Sequence, residues 1–356
     1  MPDQTKPVRV ALVGYGFAGQ TFHAPLIRSV PGLQLAVVVS GNPDRVRKDL
    51  PEAIVEPSLD RVLGHDEIDL VVVATPNQTH VPLATAILNA GKHVTVDKPF
   101  TITLAEARSL AELASARGHI LSVFQNRRWD SDFLAAKAIL EGGRLGDVVH
   151  FESHIDRYRP VVPARWREQR GPGAGLWYDL GPHLVDQALQ LFGLPSAICG
   201  QLVRQRAGAE VDDWAHVILD YGRLQVILHA ASLAANGAPR FLIHGTKGTW
   251  TKQRADVQED QVRSGMKPGA PGWGEDTDAA VFFDGQTGQS AVLPAPAGDH
   301  RQYYIALRDA ILGRGPNPVT PIQAIAVMAV LEAAALPAAD RRALPLTEGE
   351  RAQWDA

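Results

Sequence analysis

A short apolar run, Val8-Arg-Val-Ala-Leu-Val13, leads straight into Gly14-Tyr-Gly16-Phe-Ala-Gly19. This junction constrains the fold more than any other stretch. A brief apolar run bounded by glycine reads as a buried strand. A G-x-G-x-x-G pattern that follows such a strand and opens a helical segment is the first turn of a βαβ unit that binds a dinucleotide. Each glycine has a physical task. Gly14 permits the tight turn, Gly16 lets the backbone approach a pyrophosphate, and Gly19 lets the helix pack closely on the strand. Phe17 and Ala18 start the helix, whose free N–H groups and positive dipole end face the phosphates. Pro25, in His23-Ala-Pro-Leu26, predicts a short or kinked helix. His23 is read as a packed side chain.

A second strand follows, Leu33-Gln-Leu-Ala-Val-Val-Val39. An acid near the end of this strand holds the ribose hydroxyls in NAD-binding units. Here Ser40-Gly41-Asn42 takes that place, with the first acid at Asp44 and basic residues at Arg45, Arg47 and Lys48. Without the acid there is no repulsion toward a 2′-phosphate, and an arginine can pair with one. The expected cofactor is therefore NADP, with NAD as the other candidate, and Ser40 and Arg45 are placed beside it. Asp69-Leu-Val-Val-Val-Ala74 is the next parallel strand and ends in Thr75-Pro76-Asn77. Ligands bind beyond the carboxyl ends of such strands. Thr75, Pro76, Asn77 and His80 are near the cofactor by topology, His80 packing or capping there. A further strand runs into Val96-Asp97-Lys98-Pro99, and Asp97 and Lys98 at its carboxyl end are likewise expected beside the cofactor. Thr103-Leu-Ala-Glu106 is a capping box that starts a helix ending near Gly118. Alternation of strands and helices through Phe124 gives a doubly wound parallel sheet, an α/β domain over residues 1–124.

The length, 356 residues, leaves a second domain, 125–356. Here the period changes. Val148–Asp156, Ile198–Arg206, Val211–Asp220, Leu224–Leu233 and Arg240–His244 read as strands, with turns at Gly222 and Gly245-Thr-Lys-Gly248. The expected architecture is α+β, a large, mostly antiparallel open sheet with helices on one face. A sheet this rich in Val, Ile and Leu is expected to be covered by another subunit, as a homodimer or homotetramer. Lys and Arg number 35 against 39 Asp and Glu, a net charge of −4, which gives no electrostatic reason to expect nucleic acid or an anionic membrane as partner. The lone Cys199 cannot form an internal disulfide. With no leader and no apolar run near the roughly 20 residues of a membrane helix, the sequence fits the reducing cytoplasm.

Between the first two of these strands lies Gly171-Pro-Gly-Ala-Gly-Leu-Trp-Tyr-Asp179-Leu-Gly-Pro-His183-Leu-Val-Asp186. Asp179 and His183 are four apart and share a helix face. The spacing suits a metal pair, an acid/base pair or a structural ion pair. No other His, Cys, Asp or Glu at ligand spacing accompanies the pair, so no metal is expected in the chain. Asp186 is read as a structural contact. Upstream, Arg157-Tyr158-Arg159 and Arg165-Trp166-Arg167 bring cations and aromatics toward this helix. Arg157, Tyr158 and Trp166, with Tyr178, are the expected substrate-binding residues. The helices Tyr303–Leu312 and Pro321–Ala335 read as structural.

Taken in order, Gly14-Tyr-Gly-Phe-Ala-Gly19, Thr75-Pro-Asn77, Asp97-Lys-Pro99 and Asp179-x-Gly181-x-His183 resemble the motifs of the Gfo/Idh/MocA oxidoreductases across nearly the whole chain. Within that family Phe22-His-Ala-Pro25, Asn126-Arg-Arg-Trp-Asp-Ser-Asp132 and Trp177-Tyr-Asp179 are most similar to NADP-dependent scyllo-inositol dehydrogenases. Ser40-Gly-Asn42 is similar to the second-strand turn of glucose-fructose oxidoreductase, an NADP binder. The chain departs from the family at Asp97, where glutamate is usual, so the charge is kept with a shorter reach. The resemblance implies a cis Lys98–Pro99 bond and a dehydrogenase acting on a polyol or sugar hydroxyl. It also implies a cleft at Lys98 where the two halves meet. His183 would take the hydroxyl proton, Lys98 would stabilise the alkoxide, and Asp179 would orient His183 or a neighbouring hydroxyl. Rival functions within the resemblance are dehydrogenation of another sugar or aldose, NAD-dependent glycoside hydrolysis, and non-catalytic dinucleotide sensing. The presence of both Lys98 and His183 argues against the last.

Overall fold

The computed structural model describes residues 6–336 and 342–356. It separates into two compact units. The first runs to Asn126 and also takes in Gln258–Trp273 and Asp299–Ala324; the second holds Arg127–Val257, Gly274–Gly298 and the chain from Ile325 onward.

In the first unit the strands are β1 (Val8–Val13), β2 (Leu33–Val39), β3 (Ile54–Glu56), β4 (Leu70–Val73), β5 (His93–Val96) and β6 (Leu121–Val123). They form a parallel sheet in the order β3-β2-β1-β4-β5-β6. Leu70, Val71, Val72 and Val73 are all fully buried, the uniform apolar strand that a sheet covered on both faces requires. The strand order reverses between β1 and β4, so the turns after these two strands diverge at a topological switch point, where this architecture opens a crevice for a ligand. The capping box is formed. Thr103 accepts from the Glu106 amide, Glu106 accepts from the Thr103 amide, and the helix Leu104–Arg117 closes on Gly118 in the left-handed conformation. The kink expected at Pro25 takes a specific form. Residues 17–29 are continuously helical, but Gly19–His23 is a π-turn that widens the helix before Pro25 enters the first turn of Ala24–Ser29.

The second unit contains β7 (Val148–Asp156), β8 (Ala197–Val203), β9 (Trp214–Tyr221), β10 (Leu224–Ala231), β11 (Phe241–Gly245), β12 (Gly248–Lys252), β13 (Ala280–Asp284), β14 (Ser290–Leu293) and β15 (Arg342–Ala343). Among the described residues these form one sheet, β14-β13-β12-β11-β7-β10-β9-β8-β15, antiparallel except where β7 meets β10. The open-sheet expectation is borne out. It is extended by β12 to β15, whose short runs between glycines and prolines had carried too little alternation to read as strands. The helix Leu176–Phe192 packs on β7, β9 and β10. Trp177 is fully buried and donates its indole N–H to the Leu331 carbonyl at 3.1 Å. Gly181 lets the Leu331 side chain come so close that an added Cβ would meet it at 2.8 Å, which accounts for a glycine inside a helix that otherwise needs packing atoms.

Candidate active site

The glycine turn after β1 is built from contacts that only hydrogen at Cα allows. Gly14 has φ +99°, and a Cβ there would meet the Ala74 carbonyl oxygen at 2.4 Å; a Cβ at Gly19 would meet the Gly14 carbonyl oxygen at 2.2 Å. These two glycines hold the turns after β1 and β4 against each other and the helix against its own strand. Gly16 differs, since a Cβ there would meet no protein atom within 4 Å. The open space lies at the middle glycine, where a pyrophosphate has to reach the backbone, so the turn fits a dinucleotide. Phe17 beside it is 59 % exposed and packs edge-on against Phe22.

At the end of β2, the Ser40 hydroxyl accepts from the Asn42 amide at 3.1 Å, and the Asn42 side chain caps the helix Pro43–Asp49 by accepting from the Arg45 amide. Asp44 points away and pairs with Arg47 at the surface. The Arg45 guanidinium donates to the Gln20 side-chain oxygen, and the Gln20 amide donates to Asp49 at 2.7 Å. Asp49 also accepts from the Tyr15 hydroxyl at 3.3 Å. Burial, reinforced by Asp49, pushes the Tyr15 hydroxyl up to about 12. This network walls one side of a cleft of about 640 Å³ whose other side includes Arg28, Lys267 and Arg301; Arg301 is already paired with Asp299.

After β4, the Thr75 and Thr79 hydroxyls bond at 2.6 Å and Asn77 is buried. His80 is 1 % exposed, with Nδ1 2.9 Å from the Pro99 carbonyl and Nε2 3.0 Å from the Thr75 carbonyl. It therefore bridges the loop after β4 and the loop after β5, each ring nitrogen lying within hydrogen-bond distance of a carbonyl. Within the second loop, the Lys98–Pro99 bond is cis and the Lys98 amide donates to Asp97 Oδ1 at 2.7 Å. Asp97 Oδ2 stands 3.6 Å from His23 Nε2, just beyond hydrogen-bond reach. Burial works to raise the Asp97 pKa. The neighbouring His23, Lys98 and His80 outweigh it and hold the carboxyl below its ordinary value. A carboxylate thus stays ionised next to the lysine despite having little water.

In the second unit, Asp179 lies between two guanidinium groups, Arg157 at 3.8 Å and Arg167 at 3.7 Å. Arg167 also stacks over the Trp166 ring at 4.7 Å. Beside Asp179 is a gap of only about 10 Å³, room for one water. His183, one turn further along the helix, is 5 % exposed. Asp186 is buried and accepts two hydrogen bonds from Arg128, at 2.7 and 2.9 Å, the structural contact expected of it. Of the expected substrate residues, Arg157 and Trp166 gather near Asp179 in this way, Tyr178 is half-buried on the helix, and Tyr158 is 61 % exposed.

Two groups that support these residues were not found by reading the sequence. Asp212 accepts from the Trp177 amide at 2.7 Å and so caps the helix that carries Asp179 and His183; Gly175 makes room for it, since a Cβ would lie 2.1 Å from Asp212 Oδ1. The second group is Tyr304, whose hydroxyl is 2.6 Å from His23 Nδ1, with Tyr303 bonded to Ser122 at 2.9 Å. Capping boxes and glycine motifs announce themselves within a few residues. A cap supplied from 35 positions away and a hydroxyl supplied from 281 positions away leave no local trace.

Comparison with known proteins agrees with this construction. Residues 8–125 match the family model described as oxidoreductase family, NAD-binding Rossmann fold, and residues 137–346 match the oxidoreductase family C-terminal alpha/beta domain. The chain is 48 % identical to the uncharacterized oxidoreductase YdgJ of Escherichia coli, over 91 % of this chain and 94 % of that one. It is 36 % identical to the NADP-dependent scyllo-inositol 2-dehydrogenase IolW of Bacillus subtilis, over 95 % and 96 %. A crystal structure described as a putative oxidoreductase from Klebsiella pneumoniae superimposes with a TM-score of 0.92 at 51 % identity, covering 98 % of each chain. The chain belongs to the Gfo/Idh/MocA family of oxidoreductases, the NAD(P)-dependent dehydrogenases built on these two domains.

Proposed function

We propose that the protein oxidises a secondary hydroxyl of a cyclic polyol or sugar with NADP, and that scyllo-inositol represents the substrate class. The observation that carries the reading is the corner after β5, where Lys98 follows an ionised, buried-side Asp97 and precedes a cis proline. A cation at the carboxyl end of a central parallel strand suits an alkoxide that forms during the reaction. The similarity to IolW supports the substrate class, and the absence of an acid at the end of β2, with Arg45 nearby, supports the 2′-phosphate. Relatives include an NAD-dependent scyllo-inositol dehydrogenase as well, so NAD is run beside NADP in the test.

In this reading Lys98 donates to the reacting hydroxyl oxygen and His183 takes its proton. Asp179, fixed between Arg157 and Arg167, accepts from a neighbouring hydroxyl, with Arg157, Tyr158, Trp166 and Tyr178 around the polyol. A polyol meets the need of such a site for several polar partners. A bound nicotinamide supplies the acceptor for the carbinol hydrogen and its electron pair. Gly14, Gly16, Phe17, Ala18, Gly19, Ser40, Arg45, Thr75, Pro76 and Asn77 hold the cofactor, His80 acts through the two loops it bridges, and Asp97 braces Lys98. The working form is a homodimer or homotetramer in the cytoplasm, paired through the sheet face that the helix Leu176–Phe192 does not cover.

The test follows reduced-nicotinamide absorbance against inositols and aldoses. Lys98→Ala and His183→Ala are expected to bind NADP as the parent chain does and to lose roughly 10²–10³-fold in turnover. Cofactor binding with no turnover of any polyol or sugar refutes the reading.

A further inference from the structure

The motif His150-x-Glu152-x-His154-x-Asp156 runs along β7. Alternate residues of a strand share a face. Phe151 and Ser153, between them, are fully buried, so the four polar side chains lie on the face turned away from that core. Strand register then adds to the row. His154 is paired with His229 of β10, and His229 with His216 of β9. Three imidazoles from three adjacent strands thus stand side by side, with Asp156 two residues beyond. Trp214 stacks on His216 and meets His229 edge-on, closing one end.

The hydrogen bonds leave an unresolved contact at the centre. Glu152 accepts from His150 Nε2 and from His154 Nε2, each at 2.7 Å. A carboxylate there places the His154 proton on Nε2 and directs the Nδ1 lone pair inward. His154 Nδ1 and Asp156 Oδ1 are both buried without a hydrogen-bond partner, on side chains only 10 % and 9 % exposed. The Nδ1 atom is 4.0 Å from Asp156 Oδ2, and His229 Nε2 is 3.7 Å from Asp156 Oδ1. Asp156 Oδ2 already accepts from the Ala238 amide at 3.0 Å, and His229 Nδ1 stands 3.3 Å from His216 Nδ1, so the His154 Nδ1 lone pair is left facing a carboxylate, an arrangement that costs free energy unless a proton or a metal cation lies between them.

We propose that His154, Asp156 and His229 form a binding site for a divalent first-row transition-metal ion on the sheet of the second unit. One donor atom from each lies within 4.8 Å of the others. Tetrahedral bonds of about 2.0–2.1 Å set neighbouring ligand atoms roughly 3.3 Å apart, so side-chain rotations that draw the donors in by up to about 1.5 Å complete the site. Two imidazoles and a carboxylate are the donor set that zinc, cobalt and ferrous iron take. Glu152 supplies the outer carboxylate that fixes a metal-bound imidazole and raises its basicity. Its charge and that of Asp156 balance the dication. This group is separate from the Asp179–His183 helix pair for which no metal was expected.

The test uses the full chain stripped with a chelator, titrated with zinc by calorimetry and with cobalt by visible absorption. One equivalent per chain is expected, with the cobalt bands of a low-coordinate site. His154→Gln and His229→Gln are expected to weaken binding by about 100-fold or more, Glu152→Gln by roughly 10–100-fold, and His65→Gln in the first unit not at all. A variant-free measurement accompanies these. Zinc is expected to shift the imidazole nitrogen resonances of His154 Nδ1 and His229 Nε2 in the parent chain. No saturable binding, binding unchanged in folded His154→Gln and His229→Gln, or nitrogen shifts that respond to pH but not to zinc would each overturn the proposal. The last outcome assigns the contact to a protonated His154.

Discussion

The glycine turn separates two properties that glycine motifs usually confound, stability and cofactor affinity. Consider alanine at each of the three positions. At Gly14 the methyl group enters a left-handed backbone, φ +99°, which costs about 1–2 kcal/mol for an L residue. It also lands 2.4 Å from the Ala74 carbonyl oxygen, an overlap that has to be relieved by moving backbone, at about 1–3 kcal/mol. Gly14→Ala should therefore destabilise by roughly 2–5 kcal/mol. Gly19→Ala carries the second cost, because its methyl group meets the Gly14 carbonyl oxygen at 2.2 Å. Gly16→Ala carries neither, since no protein atom lies within 4 Å. Restricting the unfolded chain there should stabilise by about 0.4–1 kcal/mol. The same methyl group stands about 1.5 Å out from the backbone in the space a pyrophosphate must enter. Loss of one charge-assisted hydrogen bond, about 1.5–3 kcal/mol, raises the Kd for NADP roughly 10–100-fold. Thermal melts with and without NADP, together with calorimetric binding, read both properties. The expected pattern is a melting temperature at or above the parent's for Gly16→Ala with weakened binding, against lowered melting for Gly14→Ala and Gly19→Ala. Parent-like NADP affinity in Gly16→Ala refutes the assignment of that space to the cofactor.

Two further outcomes concern the helix that carries Asp179 and His183. Burial pushes Asp212 up to about 6 from an ordinary 3.8, so the folded state holds its proton more tightly than the unfolded chain. Its contribution is therefore most favourable below about pH 4 and is lost as pH rises through about 6. Relative to the parent, Asp212→Asn should gain up to about 3 kcal/mol at pH 8 and little at pH 4, the helix N-terminus offsetting part of that gain by its attraction for the anion. Denaturant melts of both chains across this range check it, and a pH-independent difference sinks the argument. Asp186→Ala strips the bidentate carboxylate from a guanidinium only 8 % exposed and should cost about 3–5 kcal/mol, whereas replacing Arg128 and Asp186 together by apolar residues of similar volume should cost far less. Equilibrium unfolding of the single and double variants measures the contrast.

The parts of the molecule that were legible in the sequence are those whose physics is local. Val8–Val13 with its glycines, the Thr103–Glu106 capping box and the Asp97-Lys98-Pro99 corner each complete their chemistry within a handful of residues, and each stands in the structure as read. What stayed hidden depends on register and on distant segments. His229 faces His154 because β10 runs parallel to β7, a pairing between strands far apart in the chain that neither strand's own pattern of residues announces. The same holds for Asp97. Its neighbour His23 is oriented by Tyr304, on a helix that read as merely structural and that belongs to the first compact unit. A carboxylate next to a lysine can be listed from sequence alone. The Asp97 carboxyl is held below its ordinary value by His23 together with Lys98 and His80, and His23 is held by a hydroxyl 281 positions away. The residues proposed to face a substrate therefore announce themselves by motif, while the groups packed around them have to be found by following each buried polar atom to its partner.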